Sequence, residues 1–137
     1  MAEKIFPAAL DQLGPVQDFI DEQLRRFDCP PKVKFQLDVA VEEIFVNIAH
    51  YAYPGRQGEA TVRCCVEEDP LQVTIQFLDN GQPFNPLLKQ DADITLSAED
   101  RQIGGLGIFM VKKSMDVVDY VYEDGKNVLT IKKNIHA

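Results

Sequence analysis

Val41-Glu42-Glu43-Ile44-Phe45-Val46-Asn47-Ile48-Ala49-His50 is the stretch on which the reading of this chain turns. It lies in a segment, Pro31 to Tyr51, whose apolar residues recur at helical spacing and which Pro54-Gly55 ends. At about 100° per residue, Leu37, Val41, Ile44, Phe45, Ile48 and Ala52 form one apolar stripe. Lys34, Asp38 and Glu42 share one flank at i, i+4 spacing, and that flank reads as solvated. Gln36, Glu43, Asn47 and His50 fall on the other flank, beyond which Phe35, Val39 and Val46 are apolar again. Glu43 and Asn47 thus occupy a narrow polar arc between two apolar arcs, and polar groups there need partners. The wheel leaves two readings open. Either they pair with neighbouring backbone or each other, or the Asn47 oxygen is a metal ligand beside a general base, Glu43. Glu42, on the solvated flank, is not the expected base.

Outward from this helix, residues 4–9 read as a short edge strand. Leu13, Val16, Ile20, Leu24 and Phe27 then mark an amphipathic helix that Cys29-Pro30-Pro31 stops. Downstream the period changes to two. Ala60, Val62, Cys64 and Val66 alternate with polar residues, as do Val73, Ile75 and Phe77, with Asp69-Pro70 between the runs. A third helix is predicted over residues 104–115, then strands over 117–122 and 128–132 joined at Asp124-Gly125, a strong hairpin signal. Consecutive hairpins with half-polar strands predict a mainly antiparallel, mixed sheet covered on one face by about three helices. The fold class is an α+β, two-layer sandwich. The whole of residues 1–137 reads as a single domain, without repeats.

Composition narrows the function. Hydrophobic residues make up 45% and charged residues 26%, the mix of a globular domain with a real core. The net charge of -8 repels phosphate backbones, so no nucleic-acid partner is expected, while a basic protein partner fits. Cys29, Cys64 and Cys65 form neither a disulfide framework nor a zinc pattern and read as buried free thiols in a reducing cytoplasm. No apolar run approaches a membrane span, and residues 1–7 lack a secretory h-region.

Two further motifs bear on chemistry. Asp79-Asn80-Gly81 ends an apolar strand. Such an Asp is a common turn former, but its carboxylate also suits an exocyclic amine such as that of adenine. Gly81 permits a close approach. Gly104-Gly105-Leu106-Gly107-Ile108 precedes a helix and exposes backbone N–H groups that suit phosphate. It is neither a Walker A loop nor a G-x-G-x-x-G motif. Between these motifs lies a long stretch without clear period, the length at which loops act as lids.

The order of the three segments resembles the GHKL ATPases, which include histidine kinases, gyrase-type enzymes and Hsp90 chaperones. The likeness is greatest to anti-sigma-factor serine kinases of the RsbW type, a HATPase family. It runs through Glu43 to Tyr53, Asp79-Asn-Gly81-Gln-Pro-Phe84-Asn-Pro86, and Gly104 to Asp116, and it covers nearly the whole chain. The resemblance implies a Bergerat-type ATP-binding fold, with Mg2+ and ATP as cofactors. Asn47 would ligate Mg2+ and Glu43 would be the base. Asp79, with Gly81 beside it, would bind the adenine amino group. Gly105, Leu106, Gly107 and Ile108 would offer N–H groups to the phosphates. Thr130 would match the family's hydroxyl near adenine, against its reading as an ordinary strand threonine. Residues 87–103 would form the lid, with Arg101 its candidate cation, and His50 reads as a supporting or core residue. The function implied is a serine/threonine-protein kinase in partner switching. It would act on an anti-sigma-antagonist (STAS-type) protein, hold a sigma factor and form a homodimer. A non-catalytic ATP-binding module is the alternative. A detached histidine-kinase catalytic domain ranks third, because His50 and His136 are the only histidines and neither lies on a phosphoacceptor helix.

Overall fold

The organising element is a helix whose one side is almost wholly buried. In the computed structural model, which describes residues 1–88 and 105–135, this helix, α2, spans Pro31–Tyr51, with Pro31 at its first turn where a missing N–H costs nothing. It buries Val33, Leu37, Ala40, Val41, Ile44, Phe45, Asn47 and Ile48. The predicted stripe is therefore correct, and the buried arc extends through Asn47.

Helix α1, Leu13–Leu24, buries Val16, Ile20 and Leu24 at i, i+4, i+8. It ends earlier than the apolar spacing to Phe27 implies. Helix α3 spans Gly105–Ser114. The strands are β1 (Ala2–Pro7), β2 (Glu59–Glu67), β3 (Gln72–Asp79), β4 (Val117–Glu123) and β5 (Lys126–Asn134). They form one sheet in the order β1-β2-β3-β5-β4, and every pairing is antiparallel, so the sheet is not mixed. Asp124 (φ 53°) and Gly125 (φ 75°) both take the left-handed region, as a two-residue hairpin turn of primed type demands.

Register sets which residues meet. Ala60, Val62 and Cys64 of β2 lie opposite Asp79, Phe77 and Ile75 of β3, and these lie opposite Asn127, Leu129 and Ile131 of β5. All are buried, and with the helices' apolar faces they form the core. Of the thiols only Cys64 is fully buried; Cys29 and Cys65 are half-buried, and all three are free. Among the described residues no helix is long and apolar enough to cross a membrane.

Lys34, expected on a solvated flank, instead joins two helices. Its Nζ lies 2.7 Å from Asp21 Oδ1 of α1 and 2.8 Å from Asp38 of α2. Each side chain keeps about a third of its exposure, so the pair of bridges contributes modestly. Lys34→Met is expected to cost about 1 kcal/mol. In a thermal melt the midpoint should fall by about 3 °C, and less at high salt.

Candidate functional site

The C-terminal half of α2 meets the end of β3 at a turn held from several sides. Gly81 N–H donates to Asp79 Oδ1 at 2.9 Å, the Asx-type turn that Asp-x-Gly favours. Gln82 N–H donates to the Ala52 carbonyl at 2.9 Å, and Gln82 Nε2 to the Tyr51 carbonyl at 2.8 Å. Asn80 N–H donates to Tyr53 Oη at 2.9 Å, and that hydroxyl donates to the Glu59 carbonyl at 2.5 Å. A Cβ on Gly81 would run into the Ala52 backbone, so glycine is required here by close backbone approach. The Phe84 ring stacks on Tyr51 at 5.5 Å.

Between this turn, α2 and the sheet is a cavity lined by Ile44, Asn47, Ile48, Phe77, Asp79 and Leu129, together with Phe84, Pro86, Tyr120 and Asn127. Its walls are apolar, with a few convergent polar groups, the usual make-up of a small-molecule site. Its volume is about 30 Å³, room for about two waters.

Asp79 is 5% exposed and Asn47 8%. Burial pushes the Asp79 carboxyl above the usual carboxylate range, against the lowering effect of hydrogen bonds from Asn127 and Gly81. Glu43 sits one turn before Asn47. Burial likewise raises its carboxyl, and neighbouring Glu42, which is solvent-exposed, adds to the rise. Among the described residues neither the Glu43 carboxylate nor the Asn47 carboxamide is hydrogen-bonded, to backbone or to the other.

Gly107 closes the far side. The first turn of α3 runs so close to Glu43 that a Cβ on Gly107 would overlap the Glu43 carboxylate. Glycine here therefore serves helix–helix approach at the acidic side chain, in addition to any phosphate contact. Gly107→Ala must displace either Glu43 or α3, and misplacement on the scale of an ångström costs a catalytic group about 10²-fold in rate. We expect turnover of Gly107→Ala to fall by about that factor in a phosphate-transfer assay, with the melting midpoint little changed. Ile108, next in the same turn, is buried, and Val111 one turn on joins α3 to the core. Gly105 and Leu106 open the helix. Gly104, Arg101 and the greater part of the expected lid, residues 89–103, lie outside the described residues, as does His136.

Two expectations do not match the structure. Thr130 lies opposite Gln76, whose Nε2 donates to Thr130 Oγ1 at 3.2 Å, on the sheet face turned away from Asp79 and Asn47. The side chain that β5 brings to Asp79 is Asn127, 6% exposed, with Nδ2 2.9 Å from Asp79 Oδ1. Strand periodicity carries the signal for this. Asn127 shares its phase with Leu129 and Ile131, while Thr130 shares its phase with Lys132. His50 is exposed, with its ring edge-on to Tyr51, so it is neither core nor part of the cavity wall.

The fold and this arrangement define a nucleotide-binding α+β domain, and the chain belongs to the histidine kinase-like ATPase domain family, which it matches over residues 6–133. It is 37% identical over 101 residues to the serine-protein kinase RsbW of Listeria monocytogenes, a match covering 70% of this chain and 63% of that protein. It is 27% identical over 101 residues to the serine/threonine-protein kinase BtrW of Bordetella bronchiseptica, covering 73% of this chain and 70% of that one. The RsbU and RsbW domains of Rv1364c from Mycobacterium tuberculosis superpose with a TM-score of 0.65 at 12% identity, over 98% of this chain and 33% of that chain, a likeness of fold. The match thus spans under two thirds of the Listeria relative's length.

Proposed function

We propose that this chain is an ATP-dependent serine/threonine-protein kinase of a partner-switching system, acting on an anti-sigma-antagonist protein of STAS type. The observation that carries the reading is Glu43 and Asn47 stacked one turn apart on α2, the carboxyl raised by burial and the carboxamide buried in the wall of the Asp79 cavity, neither hydrogen-bonded among the described residues. The RsbW and BtrW relatives, both named as protein kinases, support it.

Each residue has a stated part. Asp79 accepts the amino group of the adenine ring against the apolar walls of Ile48 and Phe77. The opening turn of α3, Gly105 to Ile108, offers backbone N–H groups to the phosphates. Asn47 offers a single hard oxygen to Mg2+. That suits an ion which keeps waters and takes phosphate oxygens, and among the described residues no cluster of three acidic, His or Cys side chains forms a cage for it. Bound there, Mg2+ would neutralise charge on the transferring phosphoryl group. Glu43 takes the proton of the acceptor's Ser or Thr hydroxyl as the hydroxyl oxygen bonds to the γ-phosphorus of ATP, whose bond to the bridging oxygen breaks and releases ADP. Desolvation of Glu43 makes it a stronger base than an exposed glutamate.

The partner is tested by affinity capture from native cytoplasmic extract, run with ADP and with ATP. Recovery of a STAS-type protein supports the reading, and a sigma factor recovered under one nucleotide adds the anti-sigma role. Recovery of neither contradicts the partner-switching assignment.

A further inference from the structure

Asn127 makes more hydrogen bonds than any other side chain at the cavity, and the proposed phosphate transfer does not use it directly. Its Nδ2 donates to Asp79 Oδ1 and to the Gln82 carbonyl, each at 2.9 Å. Its Oδ1 accepts from Phe84 N–H at 3.1 Å and from the Tyr120 hydroxyl. A carboxamide with two acceptors on its nitrogen and a backbone N–H on its oxygen has one orientation, since a flip breaks those three bonds while the Tyr120 hydroxyl serves either way. Three pieces of chain are thereby tied together: the β3 end, the turn at 82–84, and the exposed edge strand β4 through Tyr120.

The consequence falls on Asp79. Oδ1 receives two N–H donors, from Gly81 and Asn127. Oδ2 has no donor among the described residues and is left to the cavity. An ionised Oδ2 presents lone pairs only. It accepts from the amino group at position 6 of adenine and repels the carbonyl oxygen of a 6-oxo purine. A protonated Oδ2 would do the reverse. Burial already favours the protonated form, so donors on Oδ1 hold the acceptor-only state.

We propose that Asn127 is a positioning residue for base selection: oriented by the Gln82 and Phe84 backbone and braced by Tyr120, its carboxamide holds Asp79 as an acceptor and makes the site choose a 6-amino over a 6-oxo purine. This rests on the reading of the cavity as a nucleotide site. It assigns base choice to two residues that need not touch the base.

Dissociation constants for ATP and for ITP, which differs at position 6, test this in the wild type, Tyr120→Phe and Asn127→Leu. Each variant is checked for folding by its melt. Wild type should prefer ATP by at least about 10²-fold. Tyr120→Phe removes one bond to the Asn127 oxygen and loosens the carboxamide without reversing it, and should lower the ATP-to-ITP ratio by about threefold to tenfold. Asn127→Leu should bring the ratio near unity. If Asn127→Leu does not fold, Tyr120→Phe alone decides. An unchanged ratio in folded variants overturns the clamp and leaves the nucleotide site standing, as does equal binding of ATP and ITP by wild type. Binding of neither by wild type overturns both.

Discussion

Glu43→Gln is expected to reduce phosphate transfer by roughly 10²- to 10⁴-fold, the contribution of a positioned general base, while the dissociation constant for ATP changes little. The substitution keeps the shape that Gly107 packs against and removes only the ability to take a proton. A transfer rate within a few-fold of wild type would remove Glu43 from the base role. The same group sets the pH profile. Its carboxyl is raised by burial and by Glu42, so the acid limb of the rate should lie above that of an exposed glutamate, with the rate rising as pH passes through it. Stability runs the opposite way. A carboxyl whose folded pKa is raised stabilises the fold while protonated, and that contribution is lost as pH rises through the folded pKa. At neutral pH the ionised Glu43 therefore strains the fold, and Glu43→Gln should melt slightly higher than wild type. Higher stability with lost transfer is the mark of a group held for chemistry.

The second large effect is at Asp79. In Asp79→Asn, Gly81 N–H and Asn127 Nδ2 still point at Oδ1, so the new amide nitrogen takes the place of Oδ2. A donor then faces the adenine amino group, itself a donor. ATP affinity should fall about 10²-fold, ~3 kcal/mol, because two buried donors confront each other. The fold should persist, since burial already disfavours the charge being removed. Calorimetric titration of ATP into the folded variant gives the answer. Affinity equal to wild type would place the base elsewhere than against Asp79.

Much of this was legible in the residues. The 3.6-residue period of α2 separated Glu43 from Glu42, and the structure keeps them apart, one half-buried and the other exposed. Asp124-Gly125 announced the hairpin between β4 and β5 because only that turn chemistry tolerates two left-handed residues. Three features escaped. Lys34 read as solvated because i, i+4 spacing within α2 cannot show Asp21 arriving from α1. Thr130 rested on likeness against its reading as an ordinary strand threonine, and alternation along β5 puts Asn127, not Thr130, in phase with Leu129 and Ile131. A strand has a period of two, so a shift of three residues necessarily changes face. Gly107 read as a phosphate-loop glycine, and only the packing of α3 on α2 shows the second demand made on it by Glu43.

A Mg-ATP phosphotransfer site formed by α2, the β3 end and the α3 start has one decisive assay: the wild-type chain is incubated with γ-labelled ATP, Mg2+ and a STAS-type acceptor, and the chemistry of the labelled product is determined. Acid-stable phosphate should appear on a single Ser or Thr of the acceptor and be abolished by chelating the metal. Acid-labile phosphate retained on this chain, or ATP bound tightly with no transfer, would contradict it.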